Sequence, residues 1–280
     1  MLPMSTAKPA AGMIIAIISL LLGACLFSPG KFASTLDIRR EGTFTYSYTG
    51  EIYLLALSEL GRRDGSSTFN PSPCTNPETG EEKRCTSAEL AQQKADWESE
   101  RNATAARRKR ETEQMKAVFG GIDMSSPRAA EELATRLRRQ AGWRRVDYKG
   151  DGLFDVEFSL TGRLDHDFAF PTVEQFPMAN AFIQLSRRKD GVIRVDAPGF
   201  GPGAGGEPLR SLSKGAMMDG EKGPELPLPD GRFTLTTDAA ILANNTDEGP
   251  QAAPAGQRLD WGVSVRSSAA PMALVRLGAR

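Results

Sequence analysis

Residues 153–170 read Leu-Phe-Asp-Val-Glu-Phe-Ser-Leu-Thr-Gly-Arg-Leu-Asp-His-Asp-Phe-Ala-Phe. Phe154, Val156, Phe158 and Leu160 alternate with polar partners, and Leu164, His166, Phe168 and Phe170 continue in the same phase. A period of two places the apolar members on one face of a half-buried strand, with Gly162 at a bulge or an end. Upstream, Val146 and Tyr148 lead into the turn Lys149-Gly150-Asp151-Gly152. Downstream, Phe182, Ile183 and Leu185 enter Arg188-Lys189-Asp190-Gly191 and return through Val192, Ile193 and Val195. Asp-Gly pairs favour hairpin turns, and they recur at residues 151–152, 190–191 and 230–231. This spacing predicts an antiparallel meander. Phe233 with Leu235, Ile241 with Leu242, Trp261 with Val263 and Val265, and Leu274 with Val275 and Leu277 extend it towards the C-terminus.

The N-terminal half adds a hairpin and two helices. Phe32, Leu36 and Ile38 alternate, residues 39–42 supply a turn, and Phe44, Tyr46 and Tyr48 return. Residues 52–60 suit a short helix and residues 61–80 a loop. Thr86 and Glu89 form a capping box at the head of a helix that runs to about Phe119 and stops at Gly120-Gly121. Between Trp97 and Met115 this helix has no large apolar side chain, and Arg107, Arg108, Lys109 and Arg110 form a basic quartet among neighbouring acids. A helix that is polar all round bridges solvent or awaits a partner, and a quartet of this kind is either a solvated face or a contact for phosphates. Ser126 as N-cap, Pro127 at the first position and Gly142 past the end mark the second helix. Its Ala129, Leu133, Leu137 and Ala141 share one face suited to packing on a sheet.

The fold class expected from these elements is α+β: a curved antiparallel meander packed by one amphipathic helix, with a long polar helix inserted after the first hairpin. A chain of 280 residues with 40% apolar and 25% charged residues can bury one sizeable core. The expected organisation is residues 1–24 as signal peptide, 25–31 as a lipidated tether and 32–280 as one domain. Within that domain a helical insertion spans 53–142, and glycine- and proline-rich stretches at 199–229 and 246–257 read as mobile loops.

At the N-terminus Lys8 precedes an apolar run from Met13 to Leu22, and Leu22-Gly23-Ala24-Cys25 follows. The run has the length of an export-signal core and is short for a membrane span. The four residues resemble the lipobox of bacterial lipoproteins, which implies cleavage before Cys25 and acylation of its thiol. The longer apolar stretch, Ala10 to Phe27, has a competing reading as an uncleaved signal anchor. Acyl chains on Cys25 would hold the protein firmly at a bilayer. Leu26 in place of aspartate favours the outer membrane, facing the periplasm, over the inner membrane. Of the remaining cysteines, Cys74 and Cys85 lie in a turn-rich segment. In an oxidising compartment they read as one disulfide, free thiols being the alternative, and no further ligands stand near enough in sequence for zinc.

The charges exclude other classes. Thirty-five basic side chains balance 35 acidic ones, and loss of residues 1–24 removes Lys8 alone. Nothing in that balance points to nucleic acid. The glycines between Gly199 and Gly206 lack the Lys-Ser/Thr and helix of a phosphate loop. His166 stands between Asp165 and Asp167, but neighbours on a strand face opposite ways, so a triad-like role is not indicated. No nucleophile elbow and no carboxylate cluster of metal spacing occurs. The expectation is a non-enzyme without cofactor or metal.

The closing section, Asp230-Gly231-Arg232-Phe233-Thr234-Leu235, then Asn244-Asn245, then Leu259-Asp260-Trp261, resembles LppM-type lipoprotein domains. The resemblance implies a helix-grip arrangement that holds a lipid or other hydrophobic molecule between a curved sheet and a helix. Phe154, Val156, Phe158, Leu160, Phe168 and Phe170 would then face the groove. Core packing explains the same alternation. Two functions follow as expectations: a membrane-anchored envelope lipoprotein with an apolar groove, or an envelope assembly lipoprotein that docks a protein through residues 87–118.

Overall fold

The structure is a computed structural model and describes residues 27–54, 57–58, 68–76, 80–118, 120–124, 126–172, 181–202 and 228–278. Cys25, the apolar leader and residues 203–227 of the expected loop lie outside them. Fourteen strands and two α-helices occur among the described residues, so the fold is α+β and rich in β-structure.

The N-terminal hairpin pairs β1 (Phe27–Ile38) with β2 (Thr43–Leu54). Ile52 to Leu54, expected as the start of a short helix, complete β2. Three buried side chains in a row there reflect cover on both faces, which erases the period-two signal. A bulge between Pro29 and Phe32 fits against Gly50, whose φ of +139° and 2.2 Å approach of a would-be Cβ to the Lys31 carbonyl exclude a larger residue. A small hairpin, β3 (Cys74–Thr75) and β4 (Glu82–Lys83), leads to helix α1 (Ser87–Val118). Helix α2 (Ala129–Arg138) starts two residues after the expected first position; Ser126 bonds the Arg128 amide at 3.3 Å, and Arg128 itself caps without a side-chain bond. Next come β5 (Trp143–Gly150), β6 (Leu153–Arg163), β7 (Phe168–Phe170), β8 (Ile183–Arg187) and β9 (Val192–Asp196). The C-terminal part holds β10 (Asp230–Thr237), β11 (Ala240–Asn244), β12 (Gln251–Ala253), β13 (Gly256–Val263) and β14 (Met272–Arg276).

The expected single meander is instead two sheets that share one core. The larger has the order β12-β13-β10-β1-β2-β6-β5 and the smaller β11-β14-β9-β8-β7. Phe154 to Leu160 belong to the first sheet, Phe168 and Phe170 to the second. The chain crosses at 164–167, where the Leu164 amide bonds the Gly42 carbonyl at 2.8 Å. Both halves point at the same core from opposite sides, so the alternation runs unbroken through the crossing and conceals it.

A second correction concerns the third Asp-Gly pair. Asp230 and Gly231 open β10, which runs parallel to β1 with Lys31 opposite Asp230. Gly231 serves close approach rather than a turn, since a Cβ there would lie 2.2 Å from the Phe32 carbonyl oxygen. The expected loop 246–257 also contains β12 and the start of β13, paired Gln251 to Arg258. Gln-Ala-Ala offers no apolar alternation, and this edge pairing rests on backbone bonds and one side-chain contact, Arg258 donating to Gln251 Oε1 at 3.3 Å.

Aromatic rings join the sheets. Phe170 lies 4.5 Å from Phe158, 5.2 Å from both Tyr46 and Tyr48, and 5.6 Å from Trp143. Such pairs add about 0.5–1.5 kcal/mol each beyond the area they bury. Tyr46 Oη and Ser34 Oγ share a 3.0 Å hydrogen bond in this core, and Tyr48 donates to the Glu51 carbonyl at 2.7 Å. Burial pushes both phenols well above the ordinary tyrosine range. Helix α2 buries Ala130, Leu133, Ala134 and Leu137 in the core and lies against β5.

Candidate functional site

Three places carry the residues singled out in the sequence. The first is the aromatic strip. Phe154, Val156, Phe158 and Phe170 are buried, while Leu160 and Phe168 are half-buried against the same core. Phe168 lies 4.9 Å from Phe44 and 5.6 Å from Tyr46. The strip therefore spends its surface on its own neighbours, and these rings form the joint between the sheets.

The second place is α1 and the disulfide at its head. Cys74 and Cys85 are bonded. Closure of a loop this short stabilises by about 3 kcal/mol on a chain-entropy account. The closed hairpin grips the first turns of the helix: Gln93 Nε2 donates to the Ser72 carbonyl at 3.2 Å and its Oε1 accepts from the Ser72 amide at 3.0 Å. Lys83 pairs with Glu89 at 2.8 Å, and Phe69 meets Trp97 at 5.8 Å. The capping box is formed, Thr86 amide to Glu89 at 2.8 Å and Glu89 amide to Thr86 Oγ1 at 3.3 Å. Lys83 first, then the Thr86 amide and hydroxyl, holds the Glu89 carboxyl down at about 2. At the far end Lys116 pairs with Asp123 at 3.4 Å, and Arg136 of α2 donates to the Gly120 carbonyl at 2.5 Å. Between these clamps, among the described residues, α1 makes no extensive contact with either sheet; Arg107, Lys109 and Arg110 are exposed.

The third place was not foreseen. At one end of the larger sheet a hollow of about 360 Å³ opens between Arg232 of β10, Asp260 and Gly262 of β13, the turn at Asp247 and Glu248, and the loop at Arg266. Asn245 builds its walls. Its Oδ1 accepts from Trp261 Nε1 at 3.0 Å and from the Met272 amide at 2.8 Å, and its Nδ2 donates to the Ala270 carbonyl at 2.8 Å. One amide thus ties the larger sheet, the smaller sheet and the connecting loop. Asp260 is held by Arg258 at 2.6 Å and Thr234 at 2.7 Å. The sequence signal for the hollow is Gly262, which interrupts the run of substantial side chains from Gln257 to Val263.

His166 falls in the crossing turn, not on a strand, and is exposed. Asp165 pairs with Arg163 at 3.4 Å, and Asp167 accepts from the Arg187 amide at 3.1 Å. Among the described residues no three His, Cys, Asp or Glu side chains are grouped to hold a metal ion, and no helix is long and apolar enough to cross a membrane.

No protein-family profile matches the chain, and no curated protein matches it. Among solved structures it is similar to the folded domain of the LppM protein of Mycobacterium tuberculosis, determined by NMR. The similarity covers 90% of this chain and 92% of that one, at 11% identity and a TM-score of 0.32.

Proposed function

We propose that this protein is a non-enzymatic, lipid-anchored lipoprotein of the cell envelope that docks a partner protein along α1. The observation that carries the reading is the helix itself: 32 residues, clamped at both ends and left in solvent between them. An isolated polar helix gains little from packing, so its order comes from its ends and from any partner. Acids and bases alternate along it, Lys94, Asp96, Glu98, Glu100 and Arg101 in the first half and Arg107, Arg108, Lys109 and Arg110 followed by Glu111 and Glu113 in the second. A partner for this surface would offer polar and charged groups of both signs. The anchor belongs to the same reading: Cys25 stands two residues before Phe27, the first residue of β1, so acylation there would hold the larger sheet close to a membrane surface. The rival, an apolar ligand held by the strip 154–170, has less support, because those rings already contact one another.

The test replaces residues 87–118 with a flexible Gly/Ser linker and repeats a crosslinking pull-down from intact cells. Loss of specific partners with the anchor retained is the expected result; an unchanged partner set overturns the docking reading. Labelling with an alkyne fatty acid, abolished in Cys25→Ser, tests the anchor separately. Native mass spectrometry of the delipidated protein tests the rival, for which a retained lipid would count.

A further inference from the structure

The hollow beside Gly262 has the chemistry of a binding site, and nothing in the docking reading uses it. We propose that it binds a small zwitterion with an ammonium and a carboxylate, of the amino-acid or short-peptide class.

The first argument is charge. Asp260 is already neutralised by Arg258 at 2.6 Å. The remaining charged groups on the hollow are two cations, Arg232 and Arg266, and two acids, Asp247 and Glu248. Among the described residues Arg232 and Arg266 have no carboxylate partner; Glu248 takes only the amide of Gln251, at 2.5 Å, and Asp247 takes none. Elsewhere in the molecule neighbouring opposite charges close on each other, Arg194 on Asp196 at 2.6 Å and Arg145 on Asp155 at 3.0 Å. Here two of each sign border one space and stay apart. A lone anion would face both acids, and a lone cation both guanidinium groups. A neutral ligand with separated charges satisfies both sets, with the planar guanidinium suited to a carboxylate.

The second argument is shape. Gly262 is opposite Arg232 in register, and a Cβ built on it meets nothing within 4 Å. Glycine inside a strand weakens it and often marks close approach by a ligand. The volume of about 360 Å³ falls at the small end of ligand pockets, the size of an amino acid or a dipeptide. The third argument is rigidity: the three bonds of Asn245 fix the turn and the loop before any ligand arrives, which lowers the cost of binding.

The experiment is isothermal titration of the full-length protein in detergent with alanyl-alanine, its N-acetyl and C-amide forms, and acetate alone. Saturable binding of the free dipeptide is expected, weakened about tenfold or more by blocking either end, a loss of ~1.4 kcal/mol or more. Gly262→Leu should abolish it with an unchanged melting temperature, because the side chain enters open space; Arg232→Gln should weaken it about tenfold. No saturable binding up to about 10 mM, equal binding of the blocked peptides or acetate, or full binding by a folded Gly262→Leu protein each overturns the proposal.

Discussion

Asn245 illustrates how much one side chain can organise. Its amide satisfies the indole of Trp261, the Met272 amide and the Ala270 carbonyl at once. Asparagine sets a carbonyl oxygen that can take two donors and a separate NH2 donor on one short stem, a pair that glutamine carries on a longer one. In Asn245→Ala the Trp261 Nε1 loses its partner in a half-buried position. A net hydrogen bond is worth about 0.5–1.5 kcal/mol, and Asn245 is itself exposed, so a total loss of about 1–2 kcal/mol is expected. Urea unfolding should show this as a lower midpoint with unchanged slope, and Trp261 fluorescence should change in the native state. Asn245→Asp keeps the acceptor and should recover most of the midpoint. If the alanine variant matched the parent in both readouts, the amide would not be the tie described here.

At the scale of elements, α1 departs from the rule that helices in folded proteins are held by an apolar face. Its head depends on electrostatics and on the disulfide-closed hairpin. Glu89 makes this dependence titratable. Its folded carboxyl is held at about 2, chiefly by Lys83 and then by Thr86, against about 4.3 for an ordinary glutamate. A depressed carboxyl contributes at pH values above the ordinary one, and the contribution fades as pH falls from there through about 2. Carbon-detected NMR of the Glu89 carboxyl should give a midpoint near 2, moved back towards the ordinary range in Lys83→Ala. A midpoint already near 4.3 in the parent would contradict the capping geometry. The element was legible in the sequence because Thr86 and Glu89 form a spaced pair and Gly120-Gly121 closes it. What clamps it was legible only in part. Cys74 and Cys85 predicted the closed loop, but Gln93 as the residue gripped by Ser72 has no sequence pattern of its own.

At the scale of the whole molecule, each sheet draws strands from distant parts of the chain. β10, β12 and β13 complete a sheet begun by β1 and β2, while β11 and β14 complete one begun by β7, β8 and β9. Hairpins such as β8–β9 were readable from Arg188-Lys189-Asp190-Gly191 because turn chemistry is local. The parallel pairing of β1 with β10 was not, since Lys31 and Asp230 stand 199 residues apart and the same alternation suits any neighbour. For the same reason Arg232 and Gly262 could not be seen to meet Asp247, Glu248 and Arg266 in one hollow. This topology predicts that neither sheet is stable without the other. Gly231→Val tests it, because a side chain there strikes the Phe32 carbonyl and blocks the β1–β10 ladder while leaving every strand of the smaller sheet untouched. The variant should lose about 3 kcal/mol or more, about 1 M or more in urea midpoint. Far-ultraviolet circular dichroism and tryptophan fluorescence should still fall on one curve, as a single cooperative unit requires. Two separated transitions would mean that the smaller sheet stands alone, and the shared aromatic core around Phe170 would then not couple the two.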